Sequence, residues 1–234
     1  MSNDIKVSAS ILSADFTRLG DEIKKCEDAG VDMIHIDVMD GHFAPNISIG
    51  LPIVEAVRGI TKLPIDTHLM IENPGSYLEA FVDAGSNFVS VHAECYGERR
   101  SGCQKYGEFP KEVDSLDEEK LIKDLNKIKN KGAQAWVVFN LGTPVCLGKA
   151  HEYIDGALFM SVNPGFSGQK FNSDALPKIK ALRDSFKGDI SIDGGVSAQT
   201  APAAVEAGVN VLATASYFFG ADDPKAAVDY LKNL

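Results

Sequence analysis

Short apolar runs recur along the chain, each introduced by a glycine and followed by an amphipathic stretch. The clearest runs follow Gly30, Gly85, Gly132 and Gly208. A glycine placed before a β-rich run predicts the end of a helix that leads into a buried strand. The spacing of these glycines fits strand–helix units of about 25 residues, with one more strand expected in the first interval and two more in the last. The pattern therefore predicts a chain of repeated strand–helix units.

Eight strands are predicted in all. Their alternation with amphipathic helices indicates a parallel sheet, and eight such units favour closure into a single-domain (β/α)₈ TIM barrel. The length of 234 residues suits one such domain covering 1–234. An open doubly wound sheet is the alternative, although no GxGxxG turn supports it. The strands are predicted at 7–12, 31–39, 63–70, 86–92, 133–139, 156–162, 189–193 and 209–215, and the clearest helices at 17–29, 74–84, 117–131, 171–186 and 198–207.

One stretch exceeds the repeat, because residues 95–117 after the fourth strand are rich in glycine and charge and poor in apolar residues. Loops that follow barrel strands lie on the active-site face. This insertion is therefore either a lid or subunit contact, or a solvated loop without a role. Cys95 and Cys103 lie within it and could form a disulfide or contribute to a metal site. The absence of any CxxC pair favours reduced, packed thiols instead.

Charge limits the classes of partner. The chain has 23 Lys and Arg against 33 Asp and Glu, for a net charge of −10 at pH 7. This balance disfavours nucleic acid and anionic membrane surfaces, so any phosphate group must be held by local contacts. No apolar run reaches the roughly 18 residues of a membrane span, and the polar start does not resemble a signal peptide. We therefore expect a cytoplasmic protein that binds a small molecule.

Histidine and aspartate cluster at the ends of three predicted strands. His35 and Asp37 are two apart on one strand and so share an inward face, and His68 and Asp193 end two other strands. Two imidazoles and two carboxylates on one barrel rim suit a divalent first-row metal, with a position open for substrate oxygens. The residues do not choose between zinc, iron and manganese. Asp66 shares the face of His68 one layer deeper, where a structural role is also possible by parity.

Other polar residues are assigned lesser roles. His92 and Glu94 close the fourth strand with ligand-like spacing, and we expect them either to contact the metal ligands without binding the ion or to be purely structural. Surface or loop positions without a catalytic role are predicted for His42, His151, Arg99 and Arg100.

Small residues follow the last three strands. The loop 163–169, the pair Gly194-Gly195 and the pair Ala215-Ser216 can present backbone N–H groups to an anion. Barrels often build a phosphate site from these last loops, so three consecutive groups favour phosphate binding. Three methionines also lie near strand ends, where they either fill the core or cover the reacting carbon of a substrate. They are Met39, Met70 and Met160.

Five motifs, in order and spread over most of the chain, resemble those of the ribulose-phosphate 3-epimerase family: SASILSADF, HIDVMDGHFAPN, HLMIENP, MSVNPGFSGQKF and IDGGVSAQT. The resemblance implies a barrel of the ribulose-phosphate-binding type. It also implies a carbohydrate epimerase of the pentose phosphate pathway, which interconverts D-ribulose 5-phosphate and D-xylulose 5-phosphate through an enediolate. Members are commonly homo-oligomers, so a dimer or a hexamer is expected.

The resemblance also assigns roles. Asp37 and Asp193 become the acid/base pair, and both bind the metal together with His35 and His68. Ser10 and His68 are expected to touch the substrate, and the three methionines to cap the planar intermediate. The remaining substrate-binding residues line the phosphate end and are Gly165, Phe166, Ser167, Gly168, Gly194, Gly195, Ala215 and Ser216.

Alternatives remain at the level of substrate and chemistry. Ser167 and Ala215 stand where the family usually has glycine, which leaves a hexulose 6-phosphate, as used by allulose-6-phosphate epimerases, as a second substrate. A decarboxylase or aldolase-type synthase would call for a lysine in a pattern such as Asp-x-Lys, which the strand ends lack. A non-catalytic sugar-phosphate-binding barrel is the third hypothesis, and carboxylates on opposing faces argue against it.

Overall fold

Eight parallel strands close into a barrel in chain order, with β1 paired to both β2 and β8. A computed structural model describes residues 4–97 and 112–234. The single-domain (β/α)₈ prediction is confirmed, and the open-sheet alternative is wrong because the edges pair. The strands are β1 Lys6–Ser10, β2 Met33–Met39, β3 Ile65–Met70, β4 Phe88–His92, β5 Gln134–Phe139, β6 Gly156–Met160, β7 Asp189–Asp193 and β8 Val211–Thr214.

Helices surround the strands and follow most of them. Between β5 and β6, where every residue is described, the connection contains the 3₁₀ helix Gly148–Glu152. None of the helices in the described part of the chain is both long and apolar enough to span a bilayer. The α-helices are α1 Leu19–Ala29, α2 Leu51–Ile60, α3 Leu78–Asp83, α4 Glu118–Asn130, α5 Leu176–Arg183, α6 Ala201–Glu206, α7 Ser216–Phe219 and α8 Pro224–Lys232.

Several predicted strands are longer than the observed ones, and two of them run two residues too far at the carboxyl end, which is the functional rim. β1 ends at Ser10, because the Ser10 hydroxyl accepts from Leu12 N–H and starts a 3₁₀ turn. β6 ends at Met160, after which the Ser161 hydroxyl donates to the carbonyls of Asp193 and Gly194. In both places a serine turns the chain into a loop, which an apolar run alone does not reveal.

Glycines mark the helix-to-strand junctions as predicted. Gly30 has φ 79° and donates its N–H to the carbonyls at the end of α1, and Gly208 has φ 108° before β8. Both angles lie in the left-handed region, which suits glycine because it lacks Cβ.

The barrel interior has an apolar half and a polar half. Alternate residues of each strand point inward. Trp136, Leu158 and Val211 pack together with their neighbours in the apolar half. The polar half carries buried serine, histidine and aspartate side chains on β1 to β4 and β7. A larger apolar cluster includes the outward residues of the strands and the buried faces of the helices.

Most of the predicted insertion at 95–117 lies outside the described residues, including Arg99, Arg100 and Cys103. The hypothesis that Cys95 and Cys103 form a disulfide or contribute to a metal site depends on Cys103 and so lies outside the described residues. Cys95 itself is buried and its thiol donates to the carbonyl of Ile71 across 3.2 Å.

Candidate active site and metal centre

Four side chains meet at the carboxyl ends of the strands. His35 and Asp37 project inward from β2, and the strand register places Asp37 beside His68 of β3. Asp193 is the last residue of β7. One ligand atom from each of these four residues lies within 4.8 Å of the others, so the group could hold a metal ion. Strand alternation thus brings together residues far apart in sequence.

The spacing of these atoms suits a small cation. Asp37 Oδ1 lies 3.1 Å from both His35 Nε2 and His68 Nδ1. His68 Nδ1 lies 3.9 Å from Asp193 Oδ2. Nitrogen or oxygen ligands held about 2.0–2.2 Å from a tetrahedral zinc ion lie about 3.3–3.6 Å apart. The observed separations bracket that range.

The outer nitrogens of the imidazoles already have partners. His35 Nδ1 lies 2.7 Å from Asp66 Oδ2, and His68 Nε2 lies 2.8 Å from His92 Nε2. A carboxylate can only accept, so Asp66 places the proton on His35 Nδ1 and leaves Nε2 facing Asp37. A lone pair on His35 Nε2 repels the Asp37 oxygen 3.1 Å away unless a cation or a proton lies between the two atoms. The donor set therefore fits a divalent ion.

The two carboxyl groups have opposite electrostatics. Burial alone would raise the pKa of Asp37, but the adjacent His35 and His68 bring that pKa well below its ordinary value. Burial, and then the charge of Asp37, raises the pKa of Asp193 to about 7. Among the protein's own groups, Asp37 is thus ionised and Asp193 holds a proton near neutrality.

The imidazoles are similarly split. Burial lowers the pKa of His35, but Asp37 and Asp66 together outweigh it and raise that pKa well above 6.5. Burial, with the neighbouring His92, lowers the pKa of His68 to about 4. His68 is therefore a neutral imidazole over the whole physiological range, as metal ligation requires.

Above this group a cavity opens to solvent at the carboxyl ends of the strands, lined by apolar side chains and a few convergent polar groups, as is typical of small-molecule sites. Ser10 lies beside the carboxylates and donates a 2.6 Å hydrogen bond to Asp37 Oδ2. His68 and His35 are fully buried and lie outside the lining. The predicted residues that line the cavity are Ser10, Asp37, Met39, Met70, Met160, Gly165, Phe166, Ser167, Gly168, Asp193, Gly194, Gly195, Ala215 and Ser216.

At one end of the cavity the main chain of the small residues packs closely against neighbouring residues. Gly195 has φ 63°, and a Cβ there would lie 2.5 Å from the backbone nitrogen of Phe171. Gly194 has φ 108°, and a Cβ would lie 2.4 Å from Val162. Glycine is therefore required at both positions, and the result is a wall of main chain where an anion can be held by N–H groups.

Several contributors are not evident from sequence. Gln169 closes the loop after β6 by donating to the carbonyls of Asn163 and Phe166, at 2.7 and 2.9 Å. Asn46 in the loop after β2 donates a 2.7 Å hydrogen bond to the carbonyl of Gly165. The HIDVMDGHFAPN motif contains Asn46, but nothing in it indicates a partner in another loop. His42 and His151 lie outside the cavity lining.

A sequence model of the ribulose-phosphate 3 epimerase family matches residues 6–105 and 111–219. The chain belongs to this family. It is 46% identical over 235 residues to ribulose-phosphate 3-epimerase of Bacillus subtilis, covering 97% of this chain and 98% of that protein. It is 41% identical over 237 residues to the protein of that name from Methanocaldococcus jannaschii, covering 97% of this chain and 90% of the relative.

Solved structures of lower identity share the fold. A 3-hexulose-6-phosphate synthase from Salmonella typhimurium superimposes with a TM-score of 0.66 at 17% identity, covering 98% of this chain and 97% of that one. Orotidine 5'-phosphate decarboxylase from Pyrococcus horikoshii gives 0.60 at 15% identity, covering 97% of each chain. At such identities the likeness concerns the barrel alone, since one barrel hosts many reactions.

Proposed function

We propose that this protein is a metal-dependent ribulose-phosphate 3-epimerase that interconverts D-ribulose 5-phosphate and D-xylulose 5-phosphate by proton transfer at C3. Family membership supports the reaction class. The observation that carries the mechanism is the pair of carboxyl groups, Asp37 and Asp193, which line one cavity with pKa values shifted in opposite directions.

Epimerisation next to a ketone removes a proton from one face of a carbon and returns a proton to the other. An ionised Asp37 can take the C3 proton, and a protonated Asp193 can supply one to the opposite face. In the reverse direction the two residues exchange roles. Pairs of titratable groups whose surroundings push their pKa values apart are typical of acid/base sites.

His35, Asp37, His68 and Asp193 would hold one divalent metal ion, with zinc, iron and manganese all compatible with the nitrogen and oxygen ligands. When bound, such an ion supplies Lewis-acid stabilisation of the negative charge that develops on the substrate oxygens of the enediolate. Asp37 Oδ1 faces the imidazoles and Oδ2 faces Ser10. One oxygen of this carboxylate can therefore bind the ion while the other takes the C3 proton.

The rest of the cavity would orient the sugar phosphate. The backbone N–H groups of the loop after β6 and of Gly194 and Gly195 bind the phosphate, while Ala215 and Ser216 close that end. The Ser10 hydroxyl contacts the substrate near C3. Met39, Met70 and Met160 cover the planar intermediate and exclude water from it. His68 is fully buried and acts on the substrate through the metal site.

The test is proton NMR of D-ribulose 5-phosphate in D₂O with zinc-loaded protein, beside Asp37→Asn and Asp193→Asn. We expect D-xylulose 5-phosphate deuterated at C3, and loss of both exchange and product in the two variants. Asp124→Asn is the matched control, because Asp124 is a buried carboxyl that bonds Tyr96 and Lys127 away from the cavity.

Absence of product and of C3 exchange with the wild-type protein would refute the pentulose assignment. Conversion of a hexulose 6-phosphate instead would agree with Ser167 and Ala215, which line the cavity where the family usually has glycine. Binding of both sugars without exchange would favour a non-catalytic binding protein. A homo-oligomeric state, dimer or hexamer, stays a prediction for sedimentation analysis, and a cytoplasmic location stays one for fractionation.

A further inference from the structure

A row of three side chains leads from the metal group into the wall of the barrel. His68 Nε2 lies 2.8 Å from His92 Nε2, and His92 Nδ1 lies 3.0 Å from Glu94 Oε2. All three side chains are completely buried. The mechanism above uses His68 alone, so the cost of burying Glu94 and His92 needs another explanation.

The direction of the hydrogen bonds follows from the far end of the row. Glu94 Oε1 accepts from Asn140 N–H at 2.9 Å, and Glu94 Oε2 faces His92 Nδ1. The ammonium group of Lys178 lies nearby and donates to the carbonyl of Asn140. Burial lowers the pKa of Lys178 to about 8, with Glu94 acting against that shift. The carboxylate of Glu94 can only accept hydrogen bonds.

The order of protons is then set along the row. With Glu94 accepting, His92 carries its proton on Nδ1 and offers a lone pair at Nε2. His68 must donate to that lone pair, so its own proton is on Nε2. His68 Nδ1 is left without a proton, and this is the atom that lies 3.1 Å from Asp37 Oδ1.

We infer that Glu94 and His92 are positioning residues that hold His68 in the Nε2-protonated tautomer, so that its Nδ1 lone pair is presented to the metal ion. The inference rests on the metal site of the proposed function. Packing supports it, because Phe43 lies against the His92 ring at 4.4 Å between centroids, and the His68 and His92 rings lie end to end with 23° between their planes, as an N–H···N hydrogen bond requires. Neither ring can turn over without displacing its neighbours.

The opposite tautomer would defeat ligation. A proton on His68 Nδ1 would point at the ion and would have to be removed before binding. Hydrogen-bond partners of metal-ligating histidines usually contribute about 10–100-fold to metal affinity. Glu94 and His92 would thus act on the metal without touching it.

The first experiment is long-range ¹H–¹⁵N NMR of the wild-type protein, with and without zinc. Only five histidines need assignment. We expect His68 to carry its proton on Nε2 and His92 to carry its proton on Nδ1. A His68 protonated on Nδ1 in the zinc-loaded protein would overturn the inference without any variant.

The second experiment measures the zinc dissociation constant at one pH for four variants. In Glu94→Gln the side chain has one acceptor oxygen for the two N–H groups of His92 and Asn140, so its NH₂ group must face one of them. We therefore expect zinc affinity to fall about 10–100-fold. His92→Phe removes the acceptor for His68 and should weaken binding equally. His92→Gln should keep near-normal affinity, since its amide can accept from His68 and donate to Glu94. Asp124→Asn is the buried-carboxyl control and should bind zinc normally.

The outcomes separate the two proposals. Wild-type protein that epimerises the substrate with zinc, together with a folded Glu94→Gln of unchanged zinc affinity and tautomer, would overturn only the inference. If Glu94→Gln does not fold, equal zinc affinity in His92→Phe and His92→Gln would overturn it. Wild-type protein that binds no zinc would remove both the metal site and the inference.

Discussion

His35 Nδ1 donates a 2.7 Å hydrogen bond to Asp66 Oδ2 inside the barrel. Both side chains are fully buried, and Asp66 pairs with His35 in the register of β2 and β3, one step before the Asp37–His68 pair. The bond fixes the ring so that His35 Nε2 faces Asp37 at 3.1 Å. A carboxylate that cannot itself reach the ion therefore decides which histidine nitrogen does.

Asp66→Asn should weaken metal binding. The amide oxygen of an asparagine accepts a weaker hydrogen bond from His35 Nδ1–H than a carboxylate does. If the NH₂ group faces Nδ1 instead, the ring must turn or change its tautomer. We expect the zinc dissociation constant to rise about 10–100-fold, as measured by competition with a chromophoric chelator. Asp124→Asn should leave the constant unchanged. Equal affinity in Asp66→Asn and wild type would mean that the hydrogen bond serves folding alone.

Zinc binding should release protons at pH 7. Asp37 and Asp66 outweigh the effect of burial on His35 and raise its pKa well above 6.5, and burial raises the pKa of Asp193 to about 7. At pH 7 His35 thus carries a proton that it must lose to bind the ion, whereas Asp193 is about half protonated and can bind through one oxygen with its proton either released or kept on the other. We expect release of between about one and two protons per zinc ion.

Calorimetry in buffers of different ionisation enthalpy measures this number. Both pKa values are raised, so the protonated forms dominate below them and proton release should diminish as pH rises. For the same reason zinc affinity should increase between pH 6 and pH 8. Binding without proton release at pH 7 would contradict the electrostatic account of the site.

A methyl group added at Gly156, in the apolar half of the barrel, should destabilise the fold. A Cβ there would lie 2.2 Å from Cε2 of Trp136, whose ring is fully buried and packs edge-on against Phe88. We expect Gly156→Ala to lower the free energy of unfolding by about 1–3 kcal/mol, the usual cost of overpacking a core. Urea unfolding followed by tryptophan fluorescence gives the value.

Gly59→Ala is the control for this change. Gly59 lies within α2, and a Cβ there meets no atom within 4 Å. Alanine in a helix interior is favoured over glycine by about 0.5–1 kcal/mol, so this variant should be slightly more stable than wild type. Similar free energies of unfolding for Gly156→Ala and Gly59→Ala would show that the apolar half of the barrel relaxes around the new methyl group.

Much of the fold follows from local patterns. The glycines before each apolar run and the period of the strand–helix units predict the barrel, because these signals depend on neighbours in sequence. Strand parity likewise predicts that His35 and Asp37 share a face. Family motifs add the roles proposed for Asp193 and Ser10, which parity alone does not provide.

Contacts between strands and between loops could not be predicted in the same way. The bonds of His35 to Asp66 and of His68 to His92 depend on the register of neighbouring strands and on side-chain rotamers. Asn46 and Gly165 are 119 residues apart and meet only because the barrel closes. The early ends of β1 and β6 follow from serine hydrogen bonds at the rim. Such features require the closed structure.

Asn46→Ala should raise the KM for D-ribulose 5-phosphate more than it lowers kcat. The Asn46 side chain donates to the carbonyl of Gly165 and so ties the loop after β2 to the loop that would bind the phosphate. Loss of one such hydrogen bond costs about 1 kcal/mol, which corresponds to about a fivefold increase in KM. Asn73→Ala is the matched control, because Asn73 bonds only to Ser76 within its own exposed turn among the contacts described. Steady-state kinetics at saturating zinc decides the matter: a fall in kcat with unchanged KM would place Asn46 in the chemical step, and equal kinetics in both variants would mean that the phosphate loop holds its shape through Gln169 alone.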